Sequence, residues 1–173
     1  MIHIALFAVV LAQTPSQQPP PPVDCADADH SAFNFWIGDW DVSPTGTATV
    51  VAHSIISAAA SGCAIEENYH QTLGPNGVAT DYRGVSFSAF DSAGGVWRQF
   101  YVDSGGGVTA FEGKVLDGAM VLDAPGDRPN IKQRMTLQAQ PDGSVRQWGL
   151  VSRDGGQTWT STGGYDFTYR RRS

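Results

Sequence analysis

Turn-forming residues recur along this chain at strand-length intervals, and that spacing restricts it to a meander of short β-strands. Pro44-Thr45-Gly46, Gly74-Pro75-Asn76-Gly77, Asp91 to Gly95, Ser104 to Gly107, Asp117-Gly118, Pro125 to Pro129, Pro141-Asp142-Gly143 and Asp154-Gly155-Gly156 combine residues that set or tolerate turn backbone angles. The intervening segments are Thr47 to Ser57, Cys63 to His70, Tyr82 to Phe90, Val96 to Asp103, Val108 to Val115, Ala119 to Asp123, Ile131 to Gln140, Ser144 to Ser152 and Thr158 to Arg170. All are rich in β-branched and aromatic residues, and no segment after Val42 sustains a helical period. Ile55 to Ala60, which is alanine-rich and followed by Gly62, reads equally as a short helix, a strand end or a bulge. A meander this long avoids exposed edges most simply by closing on itself. The expectation is an all-β, antiparallel up-and-down barrel of roughly eight to ten strands, with a β-sandwich as the alternative.

The segment Phe33 to Val42, FNFWIGDWDV, supports closure. A short aromatic turn that enters a first strand through a glycine can plug one end of a small barrel. Trp36, Gly38 and Trp40 are accordingly expected to be structural, closing the barrel floor.

A chain of 173 residues suits one domain. With 11 Lys and Arg against 17 Asp and Glu, and a net charge of -6, it lacks the clustered cations that nucleic-acid binding requires. Arg170 to Arg172 reads as a solvated strand end. The apolar run Ile4 to Ala12 has the length of a signal-peptide core and falls short of the roughly 20 residues of a membrane span. Residues 1–12 are therefore predicted to be a signal peptide cleaved near Ala12, residues 13–24 a Pro- and Gln-rich linker, and residues 25–173 the barrel domain, secreted or periplasmic. Cys25 and Cys63, the only cysteines, read as a disulfide in an exported chain, because no Cys-x-x-Cys or Cys/His cluster offers a redox or metal alternative.

Ser152 to Trp159, SRDGGQTW, matches the S-x-D-x-G-x-T-W pattern of an Asp-box hairpin. Asp154, Gly156 and Trp159 are expected to be folding elements of that turn. Together with FNFWIGDWDV, Gly62 to Glu67, Trp97-x-Gln99, Phe111-Glu112-Gly113 and Asp117 to Leu122, the box resembles a family of uncharacterised secreted bacterial proteins classed as a domain of unknown function. The resemblance covers nearly all of the chain after Cys25. It implies a calycin-like barrel, similar in outline to lipocalins and nitrobindin-type proteins, and no assigned reaction. Relatives tend to carry an aromatic where this chain has Gly149.

In a closed barrel alternate residues face inward, so polar residues in phase with apolar neighbours are pocket candidates. Glu67 lies between Ile65 and Tyr69, Gln99 between Trp97 and Tyr101, and Gln133 between Ile131 and Met135. Arg134 and Glu112 have the opposite parity and face inward only if the lumen is polar. A buried Glu67 needs a partner, which Arg134 or Arg98 could supply. These residues could also be wall residues with no ligand role. The candidate ligand-binding set is Glu67, Trp97, Gln99, Tyr101, Gln133 and Arg134, with no catalytic residue assigned.

The histidines offer no axial haem ligand on the later strands, and Glu66, Asn68 and His70 read as a solvated face, not a metal site; no cofactor is expected. The function expected is binding of a small hydrophobic or amphipathic molecule. The alternatives are a barrel isomerase or hydrolase using a buried Glu, and a structural envelope module without a cavity.

Overall fold

The computed structural model describes residues 23–74, 77–161 and 164–172. The expected signal peptide and residues 13–22 of the expected linker lie outside them. After a single-turn helix, α1 (Ala28–Ser31), and a 3-10 turn (Asn34–Trp36), the chain forms β1 (Gly38–Pro44), β2 (Ala52–Ala59), β3 (Ala64–Leu73), β4 (Ala79–Asp91) and β5 (Val96–Asp103). It continues with β6 (Val108–Leu116), β7 (Ala119–Pro125), β8 (Lys132–Ala139), β9 (Val145–Ser152) and β10 (Asp166–Arg171). Each strand pairs antiparallel with its sequence neighbours, and β1 pairs with β10, so the ten strands form a closed up-and-down barrel. Among the described residues no helix is long and apolar enough to cross a membrane.

Strand boundaries depart from the sequence expectation where side chains divert the backbone. The segment from Thr47 joins the ladder only at Ala52, because Thr47 turns back through its N–H and hydroxyl onto the Pro44 carbonyl. The segment from Thr158 becomes a strand only at Asp166, since Thr158 is held by Asp154 and Gly164 N closes a turn on Ser161 O. The alanine-rich stretch is a strand end, followed by a 3-10 turn in which Ala60, Ser61 and Gly62 all have positive φ (48°, 57° and 92°). Two non-glycine residues in the left-handed region cost roughly 1–2 kcal/mol each.

One end of the barrel is plugged as the aromatic segment predicts. Phe33, Trp36 and Trp40 are fully buried. Phe33 stacks on Trp36 at 5.1 Å, and the Trp40 indole N–H donates to the Trp36 carbonyl at 2.8 Å. Gly38 is required here, because a Cβ would lie 2.5 Å from the Arg171 guanidinium and 2.9 Å from the Trp40 ring. Arg171 in turn covers Trp40 at 4.5 Å. Ile56, Ile65, Met120, Leu122, Leu137 and Val145 complete the packing, each fully buried side chain stabilising by about 1.5–3 kcal/mol.

Cys25 and Cys63 are joined in a disulfide that spans 38 residues and ties the start of the domain to the turn after β2. Reduction, or Cys63→Ser, is expected to lower the unfolding free energy by about 4 kcal/mol through loop entropy. Urea unfolding with and without reductant measures this directly.

Candidate functional site

The end of the barrel opposite the plug holds a cavity of about 390 Å³. Its depth is polar: Glu67 of β3, Gln99 of β5, Gln147 of β9 and Tyr169 of β10 converge there. Its far wall is apolar, made by Phe111, Met135 and Phe167, and its rim carries Gln71, Tyr82, Gln133 and Tyr165. β4 and β5 add to this polarity by turning small polar side chains inward. Ser86, Ser88 and Gln99 point inward and are buried, whereas Phe87 and Phe100, a cross-strand pair, point outward and are half exposed. The lumen is thus hydrogen-bonded at the cavity end and apolar at the plug end.

Glu67 is 4% exposed. Ser54 of β2 donates to one carboxylate oxygen at 2.9 Å, and Ser86, its direct cross-strand partner on β4, to the other at 3.4 Å. Burial pushes the carboxyl up to about 7, with the hydroxyls of Ser54, Ser86 and Tyr169 offsetting part of that rise. The lining includes no Lys, Arg or His among the described residues. The expected cationic partners lie elsewhere. Arg98 is outside, bound to Asp91 and Glu112, and Glu112 itself faces outward. Arg134 forms a bidentate pair with Asp123 across the outer face of β7 and β8, at 2.7 and 2.8 Å, and stacks over Trp159 at 4.0 Å. The lumen is polar, yet serines and glutamines, not ion pairs, make it so.

Tyrosines shape the remaining space. The Tyr82 and Tyr101 hydroxyls bond at 2.8 Å, and Tyr82 also donates to Asp103 at 3.2 Å. Gly84 admits the Tyr101 phenol, whose oxygen lies 2.0 Å from where a Cβ would be. Tyr169, deeper, donates to Gln147 Oε1 at 2.7 Å. Gly149 does the corresponding work for Tyr165, whose ring comes within 2.6 Å of the missing Cβ. Residue 165 thus supplies an aromatic ring to the cavity across Gly149. Burial holds Tyr69, Tyr101 and Tyr169 well above the ordinary phenol range, helped by the charge of Glu67 at Tyr69 and Tyr169 and by the Tyr82 hydroxyl at Tyr101, so these hydroxyls stay neutral.

Of the residues singled out from the sequence, Glu67, Gln99, Tyr101 and Gln133 meet at the cavity. Gln99 also donates to Ser88 at 3.0 Å. Trp97 faces inward but sits at the plug, edge-on to Phe33 at 5.6 Å and beside Phe90. Arg134 is a surface residue, as described. In the Asp-box, Asp154 accepts from the backbone of Gln157 and Thr158 and from the Thr158 hydroxyl, at 3.0, 2.9 and 2.6 Å, while Gly156 N donates to Ser152. These bonds hold the Asp154 carboxylate well below its usual range. Trp159 lies under the Arg134 guanidinium, so the box braces the outside of β8. Sequence reasoning missed Ser54 and Gln147, although each alternates in phase with buried neighbours, and Ser86, which exposed Phe87 obscures. No protein-family model and no curated protein matches the chain.

A carboxyl raised from 4.5 to about 7 destabilises the fold once ionised. Its contribution is fully favourable below about pH 4.5, declines between pH 4.5 and 7, and is lost above, by about 3 kcal/mol at 1.36 kcal/mol per pH unit. Glu67→Gln, which mimics the protonated form, is therefore expected to match the natural protein at pH 4.5 and to exceed its stability by up to about 3 kcal/mol at pH 8. Denaturant unfolding at the two pH values checks this. Equal stability of the two proteins at pH 8 would contradict it.

Proposed function

We propose that this protein is an exported binding barrel that holds one small amphipathic molecule in the cavity above Glu67. The observation that carries the reading is a cavity of about 390 Å³, within the range of small-molecule sites, with a polar depth and an apolar far wall. A filled structural module would not leave space for many waters inside its barrel. The disulfide is compatible with export, as is the apolar stretch Ile4 to Ala12 of the sequence. The domain-of-unknown-function resemblance fits the same reading, since calycin-like barrels carry their ligands inside.

A second reading is favoured by the absence of a cation beside Glu67 among the described residues. A buried carboxyl titrating near neutrality is matched to the work of a general base, as in proton abstraction by an isomerase. The two readings separate on Glu67→Gln: an enzyme loses turnover while keeping its ligand.

Native mass spectrometry of the exported protein, purified without organic additives, tests binding. An adduct is expected in the natural protein, absent from Thr109→Trp, which fills the cavity that Thr109 of β6 lines, and retained in Phe87→Ser on the outer face. An adduct carried equally by Thr109→Trp would place the molecule outside the barrel and overturn the reading.

A further inference from the structure

The interior of the barrel contains a charge with no counter-charge. Glu67 is the only Asp or Glu among the described residues lining the cavity, and no lining residue there is cationic. The groups that face it are Ser54 from β2, Tyr69 on its own strand, Ser86 from β4 and the Tyr169 hydroxyl of β10, with Tyr101 and Tyr165 at greater range. Two serine hydroxyls donate to the carboxylate, which has about four acceptor sites. Acceptor capacity therefore remains for a donor that the protein itself does not supply.

Three arginines of the barrel wall are committed elsewhere. Arg98, Arg134 and Arg146 are each held on the outer face by carboxylates: Asp91 with Glu112, Asp123, and Asp166. None can swing inward without leaving an ion pair and crossing the barrel wall. The tyrosines keep their hydroxyls neutral, and neutral tyrosine faces attract cations. An anionic head group meets the opposite situation, a like charge beside a buried carboxylate with no cation to offset it.

We propose that the cavity is selective for an organic cation, an amine protonated at neutral pH on a compact aromatic or short alkyl body, with Glu67 as its counter-ion. The inference rests on the binding reading above and adds the charge of the ligand. The ammonium bonds the free acceptor positions of Glu67 among the tyrosine rings, and the body lies against Phe111, Met135 and Phe167. Binding requires Glu67 ionised, so the complex forms with release of the Glu67 proton wherever that group is protonated in the free protein, and affinity rises with pH toward 8.

Isothermal titration of the full disulfide-bonded chain with tryptamine, its neutral analogue tryptophol and the anion indole-3-propionate tests this. Tryptamine is expected to bind at least tenfold more tightly than either analogue at pH 8, and at least tenfold more weakly at pH 5.5 than at pH 8. At pH 6.5 its apparent enthalpy should change with the ionisation enthalpy of the buffer. Glu67→Gln should remove both the preference and the pH dependence, with near-ultraviolet circular dichroism verifying that the fold is kept. Tryptophol or indole-3-propionate binding as tightly as tryptamine would overturn the charge assignment and leave the binding reading standing. No binding of tryptamine, with an adduct still present in the native mass spectrum, overturns it in the same way. No binding of any probe and no adduct removes both.

Discussion

Closing a ten-strand sheet on itself brings β1 against β10, Trp40 opposite Arg171 and Val42 opposite Tyr169, and the rest of the molecule depends on that ladder. An open sheet with the same sequence would leave the serines, glutamines and carboxyl of one face and Phe87 and Phe100 of the other in solvent, and would not enclose the apolar residues of the inner face. Closure removes the edges and encloses the polar face, so that its groups satisfy one another. The ladder also places Tyr169 beneath the plug, where its ring meets both Trp36 and Trp40 edge-on while its hydroxyl reaches Gln147. A single residue therefore links the apolar floor to the polar depth of the cavity.

The two ends of the barrel divide the physical work. The floor concentrates buried aromatics, the disulfide and the aliphatic cluster, the contributions with the largest and most certain sign. The other end contains terms of opposite sign: a desolvated carboxyl, tyrosine hydroxyls gathered near it, and empty volume that forgoes dispersion contacts. Outside, bidentate Arg134–Asp123 and Arg146–Asp166 pairs, with Trp159 and Trp148 beneath the guanidinium planes, brace β7 to β10 around that weaker end. These pairs are partly exposed and individually modest. Their value is to hold neighbouring strands in register where the interior does not pack.

Much of the fold is legible in the sequence because turn chemistry is local. Asp117-Gly118 and Pro141-Asp142-Gly143 mark hairpins without reference to anything distant, and β5 from Val96 to Asp103 has the boundaries that its residues predict. The plug was legible for a similar reason, since four aromatics around one glycine have few places to go. Parity along a strand identified Glu67, Gln99, Tyr101 and Gln133 as inward-facing. It failed on β4, where alternation is present but inverted and Phe87 suggests the opposite face for Ser86. It also failed to fix height along the barrel axis: Trp97 and Tyr101 share a face, yet one joins the plug and the other the cavity. Partner choice was least legible. Arg134 has a carboxylate waiting at its cross-strand position, Asp123, and register between separate strands is a property of the closed sheet.

The inverted patterning of β4 and β5 explains how Glu67 can be buried without a cation. A carboxyl surrounded by aliphatic side chains would be neutral across the physiological range, and one beside an arginine would be permanently ionised. Serine hydroxyls lie between these limits, because they can donate to the ionised form and accept from the protonated one by rotating about a single bond. With Ser54 and Ser86 on the strands that flank it, Glu67 retains hydrogen bonds in both protonation states. The exposure of Phe87 and Phe100 is the cost of that arrangement, since turning two serines and a glutamine inward on paired strands turns the intervening aromatics outward. A lumen assembled this way keeps Glu67 hydrogen-bonded whether or not it carries a charge, without an ion pair inside the barrel wall.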